Sequence, residues 1–513
     1  MHTSPILALL ASSILITTSL QAQSRTATSA RTKTTSPVAT SKLPEFSISR
    51  AEVESHTRFL ASDELEGRRT GEKGNWTAAR YIAEQFRLLG LKPAADQGDY
   101  LQRINFERVR AATSATLLLG KDTLHLGKEL LLMTGGPTNV SGEVVYVGYG
   151  LTEEGYKDRD VKGRIVVVQG GSPEAKGPGE IFRASREKRE LATKKGAAAL
   201  IELYSESIPW GLVNQYFSRE QIMLPTSGAE KPLTHVWLNN ANNQYKQLKE
   251  AGQTVTLRTL GRPQTPVLSA NVAGIIEGAD PKLKNEYIIL SAHFDHVGVG
   301  KQGGSPYQPS DSIFNGARDN AIGTVAMLEA AKALTLQRPS RSVLVLALTG
   351  EEVGLLGSKY YAEHPLVPLK QTVFDLNTDG AGYSDTTLIS VIGLDRTGAR
   401  AEIEAGAKAF GLSVLADPAP EQGLFDRSDN VNFAIKGIPS PDFAPGFKSF
   451  DEAIAKYYHQ AADNPESLNF GYVLRFCQAY AHTARLIANR PTRPQWSAGD
   501  KYEPAAKALY GQE

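Results

Sequence analysis

The sequence predicts an α/β fold: an open, mainly parallel sheet covered by helices on both faces, with a β-rich unit inserted into it. Three observations carry this expectation. From about Pro263 to Asn489, strand-like apolar runs alternate with helical stretches, which implies parallel strands joined by helices. Between about Thr123 and Leu260 a second β–α–β pattern stands apart, with few residues suited to chemistry. In the last half, ligand-type side chains fall at or just past the ends of the apolar runs, where ligands bind in open α/β sheets.

The chain has 513 residues, enough for two or three domains, and its 41% apolar content can fill a sizeable core. The formal charge is +1, and no Lys/Arg block is dense enough for nucleic acid, so that class of partner is excluded.

In chain order, Pro5 to Leu20 reads PILALLASSILITTSL. This run is too short to span a bilayer comfortably and precedes a small residue, Ala22. The expectation is a signal peptide over 1–22 and a secreted or periplasmic protein with no membrane attachment after cleavage. Cys477 is the only cysteine, so neither a lipid-modified cysteine after the signal nor an intrachain disulfide is expected. Residues 23–43 are rich in Ser and Thr, read as a disordered spacer, with ordered structure beginning near Phe46.

The expected domain boundaries follow: 44–122 as the first part of the main domain, 123–262 as the insertion, 263–490 as the catalytic part and 491–513 as a C-terminal tail. Ala79, Ile82, Ala83, Phe86 and Leu89 predict a helix over 76–89, with Gly90 as its cap. In the insertion, 141–150, 164–170 and 197–203 read as strands and 184–195 as a helix; His235 there reads as structural. In the catalytic part, strands are predicted over 287–292, 342–348 and 373–377, and helices over 321–334, 400–410 and 473–488.

The strand EYIILSAHFDHVG (Glu286 to Gly298) ends in polar residues. Strand alternation puts His293 and Asp295 on one face and His296 on the other. His293 suits a metal, with Asp295 holding its imidazole; a satisfied loop cluster is the plainer reading. Asp319 opens a helix in GARDNAIGTVAMLEAAKAL (Gly316 to Leu334), where an aspartate alone could be only a cap. In RSVLVLALTGEEVGLLGS (Arg341 to Ser358), Gly350 precedes two glutamates. These could be helix-dipole partners. A hydrolytic metal site, however, needs one carboxylate on metal and one taking a proton from water, which makes Glu352 the ligand and Glu351 the base. Asp379 follows the strand in VFDLNTDGAG (Val373 to Gly382), and His459 lies before the last helix in YYHQAADNPESLNF (Tyr457 to Phe470). Weak singly, His293, Asp319, Glu352, Asp379 and His459 together predict a two-metal hydrolytic site. A carboxylate between two cations offsets their repulsion, and imidazoles and carboxylates complete each shell.

The order HFDH, GARDNA, TGEE, NTDG, YYHQ resembles the secreted co-catalytic dizinc aminopeptidases of the bacterial leucine aminopeptidase and aminopeptidase Y type. FDRSDNVNFAIKGIP (Phe425 to Pro439) is similar to their SD-x-x-x-F-x-x-x-G-I-P segment, although Asn430 stands where histidine or glutamine is common and is given no role. FLASDELEGRRTGEKGN (Phe59 to Asn75) is similar to their N-terminal signature, and the insertion resembles their protease-associated domain. The resemblance implies two Zn2+ per chain: one on His293 and Asp379, the other on Glu352 and His459, with Asp319 bridging, Glu351 as general base and Asp295 orienting His293. It implies peptide or protein N-termini as substrate. Carboxypeptidase or dipeptidase action on the same scaffold is an alternative. Two further alternatives are a non-catalytic receptor-like protein, against which all six ligand and base positions are intact, and a single-zinc acyltransferase of the glutaminyl cyclase type.

Overall fold

The computed structural model describes residues 43–173, 178–225, 232–303 and 307–511. The expected signal segment and all of the spacer but its last residue lie outside the described residues. Among the described residues, no helix is long and apolar enough to cross a membrane.

Helix α1 (Arg50–Leu60) starts at a reciprocal cap. The Glu52 N–H donates to the Ser49 hydroxyl at 3.2 Å, and the Ser49 N–H donates to the Glu52 carboxylate at 3.1 Å, an arrangement worth about 1 kcal/mol. Helix α2 (Lys73–Leu88) buries Ala79, Ile82, Ala83 and Phe86. It ends where Gly90 takes a left-handed φ of 72° that favours glycine, as its sequence predicts. Strand β1 (Leu101–Val109) then joins the main sheet.

Between β1 and its antiparallel neighbour in that sheet the chain builds a separate eight-stranded sheet. Its strands are β2 (Ala115–Leu119), β3 (Asp122–His125), β4 (Leu130–Thr134), β5 (Thr138–Tyr146) and β6 (Ile165–Gln169). Helix α3 (Pro178–Lys194), strand β7 (Ala199–Tyr204) and helix α4 (Trp210–Phe217) follow. Strand β8 (Gln221–Met223) leaves this unit to pair with β1, after which β9 (Thr234–Asn239) and β10 (Thr254–Thr259) complete the insertion. The order in the second sheet is β3-β2-β10-β5-β6-β7-β9-β4. His235 on β9 is buried, its Nε2 at 3.1 Å from the Glu202 carboxylate, which also takes a hydrogen bond from Lys188 at 2.6 Å.

The chain returns through β11 (Gln264–Ile276), β12 (Tyr287–His293), α5 (Ile322–Leu336), β13 (Ser342–Leu348), α6 (Leu356–Glu363) and β14 (Thr372–Asn377). Next come β15 (Leu388–Ile392), α7 (Arg400–Ala409), β16 (Ser413–Ala416), α8 (Asn430–Ile435) and β17 (Asp442–Pro445). Helix α9 (Phe470–Asn489) is capped by the Asn469 side chain, and α10 (Glu503–Tyr510) follows in the C-terminal segment.

The main sheet has ten strands in the order β16-β15-β17-β14-β12-β13-β11-β1-β8, with the two-residue strand Lys92–Pro93 also beside β11. The α/β class stands, and the sheet is mixed. Its centre, β17-β14-β12-β13, is parallel, whereas β11, β1 and β8 on one side are antiparallel. The antiparallel part arises because β11 enters directly from the insertion, with no crossover helix to reverse its direction.

Strand alternation divides the core. Ile288, Leu290, Ala292, Val343, Val345 and Ala347 face α1, α2, α5, α7 and α9. Ile289, Leu344, Leu346 and Leu348 pack on the other face with Tyr361 of α6, Phe433 of α8 and Leu509 of α10. Each such buried side chain contributes about 1.5–3 kcal/mol, so the central strands are rigid supports for the loops at their carboxyl ends.

Candidate metal centre

Three neighbouring parallel strands deliver the site. His293 ends β12, Asp379 follows β14 by two residues, and Glu351 and Glu352 follow β13 after Thr349 and Gly350. Gly350 takes a φ of 76°, which lets the chain turn sharply after the strand. Asp319 lies in the irregular turn before α5 and His459 in the loop before α9.

All five expected ligands meet. The His293 Nε2 is 3.0 Å from Asp379 Oδ1 and 3.4 Å from Asp319 Oδ1. The His459 Nε2 is 3.2 Å from Asp319 Oδ2 and 3.1 Å from Glu352 Oε2. Asp319 thus stands between two histidines, presenting one oxygen to each. Ligand atoms of His293, Asp319 and Asp379 lie within 4.8 Å of one another, as do those of His296, Asp319 and Glu352.

His296 corrects the expectation from strand alternation. The strand ends at His293, so the alternation of faces stops there, and residues 294–297 follow an irregular path held by backbone hydrogen bonds to Leu348 and Arg68. His296 consequently points into the site, with Nδ1 at 2.7 Å from Glu352 Oε1. Asp295 also differs in detail. The His293 Nδ1 lies 3.2 Å from the backbone carbonyl of Asp295, and the carboxylate stands 3.9 Å away. That carboxylate accepts the Glu351 N–H at 3.1 Å, the Glu352 N–H at 3.3 Å and the Thr70 hydroxyl at 2.8 Å. Asp295 therefore fixes the glutamate turn.

Other supports were not legible as site residues. Asp463 accepts the N–H groups of Arg318 and Asp319 at 2.9 and 3.2 Å, fixing the turn that carries Asp319. Asp442 accepts the Asp379 N–H at 2.9 Å. Arg68, within the N-terminal signature, is buried and donates to the carbonyls of Phe294 at 2.7 Å and Gly316 at 3.0 Å, tying the end of β12 to the Asp319 turn. Asn430 is buried and donates to the carbonyls of Phe425 and Ser440, a bracing role within its loop.

The electrostatics favour added positive charge. Burial alone would push His459 down; Glu352 and Asp319 outweigh it and carry the imidazole up to about 11. Burial likewise opposes, and Asp379 and Glu351 impose, a strong rise at His293. Burial would raise Glu352, yet His459 and His296 hold it well below the carboxylate range. Burial pushes Glu351 well up, with His293 opposing and Asp379, Glu352 and Asp429 adding to the rise. Packed carboxylates that hold protons on two imidazoles are a donor set suited to divalent cations. The orphaned Glu352 Oε1 fits the same conclusion.

The set opens on a cleft that is open to solvent. Asp319, Glu351, Asp379 and His459 line it together with the apolar side chains Ile392, Leu424, Phe447 and Phe450, with Tyr458 and with Arg427.

Fold and side chains together form a candidate metal centre at the carboxyl edge of an α/β sheet. The chain matches the model of Peptidase family M28 over residues 271–484. It is 26% identical to aminopeptidase YwaD of Bacillus subtilis over 60% of this chain and 59% of that protein. It is also 26% identical to a probable leucine aminopeptidase 2 of Aspergillus oryzae, over 79% and 81% respectively. The solved aminopeptidase from Aneurinibacillus sp. strain AM-1 shares the fold, with a TM-score of 0.57 and 21% identity, over 89% of this chain and 98% of that one.

Proposed function

We propose that the chain is an exported dizinc aminopeptidase that releases single residues from the free N-termini of peptides. One observation carries the two-metal reading: Asp319 faces His293 with Oδ1 at 3.4 Å and His459 with Oδ2 at 3.2 Å. A single carboxylate between two ligand groups is what paired cations require. His293, Asp379 and Asp319 would hold one zinc, and Glu352, His459 and Asp319 the other. Bound there, the pair would acidify water and polarise the scissile carbonyl.

The protein's own groups do the rest. Glu351 lines the cleft with Asp319, Asp379 and His459, where a carboxylate can take a proton from water. It takes a proton from the attacking water as the water oxygen bonds to the carbonyl carbon. It then gives that proton to the departing nitrogen as the C–N bond breaks. Asp295 holds the Glu351 and Glu352 amides, so the base and the neighbouring ligand move as one unit.

Direction is supported by the names of the relatives, both aminopeptidases. The apolar part of the cleft lining suits a large apolar first side chain. The insertion would act as a protease-associated-type unit that shapes access; among the described residues it contains no metal-ligand group. Export rests on the apolar segment Pro5 to Leu20.

The test is a peptide ladder read by mass spectrometry, with free and acetylated N-termini. Loss of single residues from the free end, and near-complete protection by acetylation, are expected. Shortening from the C-terminus would overturn the direction and leave the metallohydrolase reading intact.

A further inference from the structure

His296 has no role in the proposed mechanism, yet it is 1% exposed and faces the centre of the site. Its Nδ1 is 2.7 Å from Glu352 Oε1 and 4.0 Å from Asp319 Oδ1. His459 faces the same two carboxylates through their other oxygens, Glu352 Oε2 at 3.1 Å and Asp319 Oδ2 at 3.2 Å. The two rings stand edge to face, with centroids 5.7 Å apart and planes at 72°. Two imidazoles thus address one pair of carboxylates from two sides.

His296 and Glu352 form a close pair at 2.7 Å that lacks the geometry of a directed hydrogen bond. Among the described residues neither ring nitrogen of His296 has a hydrogen-bond partner, and neither does Glu352 Oε1, although Nδ1 and Oε1 are only 2.7 Å apart. A buried polar atom left unpaired is unfavourable, and the ligand atoms of His296, Asp319 and Glu352 lie within 4.8 Å of one another. Two electron-pair donors held close without a hydrogen bond between them are arranged for a cation that both can reach. The ring is held in place: a side chain on Gly316 would begin 2.6 Å from the ring atoms Cγ and Cδ2 of His296, so only the bare glycine backbone fits beside it.

We propose that His296, through Nδ1, is a further protein ligand of the metal position formed by Glu352, His459 and Asp319. This rests on the metallopeptidase reading above and adds an asymmetry to it. That position then has four protein donors, two imidazoles and two carboxylates, the closed set of a tightly held zinc. The position on His293, Asp379 and Asp319 has three and keeps room for water and substrate. The first equivalent of metal loads at the closed position, and the second at the open one.

The test is X-ray absorption of the metal-stripped full chain reloaded with one equivalent of zinc, with affinities from calorimetric titration. Two imidazoles on the zinc are expected in the unchanged protein. His296→Gln is expected to leave one imidazole and to weaken the first equivalent about 10–100-fold, with the second within a few-fold of its original affinity. His459→Gln should also retain one imidazole at the first position, supplied by His296. This arm, with the count in the unchanged protein, decides the matter if His296→Gln does not fold. One imidazole in the unchanged protein, or the same count after His296→Gln, overturns the role of His296 while leaving a metalloprotein. Failure of the unchanged protein to bind zinc overturns both this role and the proposed function.

Discussion

The backbone N–H of Glu351 donates to Oδ1 of Asp295 at 3.1 Å, joining the end of β12 to the turn after β13. The other oxygen, Oδ2, accepts the Glu352 N–H and the Thr70 hydroxyl. Asp295→Ala removes all three acceptances and frees the glutamate turn. A fall in kcat of about 10–100-fold is expected, with a smaller fall for Asp295→Asn, which keeps one acceptor oxygen. Steady-state kinetics with elemental analysis check this. If metal affinity is lost and the kcat of the loaded enzyme is unchanged, the carboxylate acts on His293 instead.

Glu351 and Glu352 are adjacent but unequal. Glu351→Gln keeps the shape of the side chain and removes proton acceptance, so kcat should fall about 10²–10⁴-fold with metal content unchanged. Glu352→Gln should lower metal content as well. Equal metal content in both variants would contradict the division of labour.

Removal of metal should destabilise the fold as well as stop turnover. Asp319, Glu351, Glu352 and Asp379 lie together at the carboxyl ends of β12, β13 and β14 and repel one another. Zinc at about 100 times its dissociation constant adds about 2.7 kcal/mol to the folded state per site. Elemental analysis should give two zinc ions per chain, and the stripped protein should melt at a lower temperature by scanning calorimetry. A stripped protein that melts at the same temperature would argue against metal held by the core strands.

Glu329 on α5 gives a pH prediction remote from the metals. It is 1% exposed, and neither carboxylate oxygen has a hydrogen-bond partner among the described residues. Burial pushes its carboxyl up to about 7, with Lys332 opposing and Glu52 adding to the rise; the His56 Nε2 stands 3.8 Å away. Below the unfolded carboxyl's range both states hold the proton, and Glu329 neither adds nor removes stability. As pH rises toward 7 the unfolded chain releases its proton first, so the folded state loses stability until the full cost is reached above that value. The cost is about 3 kcal/mol. Glu329→Gln should therefore match the original protein in denaturant midpoint near about pH 4 and exceed it near about pH 8. A constant difference across that range would show that Glu329 does not titrate within it.

The central strands were legible because they are buried on both faces, and burial on both faces writes a continuous apolar run, as in Ser342–Leu348. The antiparallel strands β1 and β8 were not. Gln221–Met223 is three residues long, and its place in the main sheet depends on pairing with Arg108, distant in sequence. Of the expected ligand residues, His293 ends a strand and Glu352 and Asp379 closely follow one, whereas Asp319 and His459 lie on turns before helices and were legible only in company with the others. His296 was misassigned by carrying strand alternation past His293, where the strand ends. Asp463 and Asp442 act through backbone N–H groups of other segments, and such hydrogen bonds leave no spacing to read.

Strand β8 belongs to the insertion in sequence and to the catalytic sheet in space. Ile222 and Leu224 pack with Val353 and Leu356, a few residues beyond Glu352. The insertion is therefore not an exchangeable module. A chimera joined at its two obvious seams, after β1 and before β11, would bare the sheet edge and uncover the apolar underside of the glutamate turn. Swapping this unit between peptidases to redirect selectivity thus requires leaving residues 221–225 behind with the recipient.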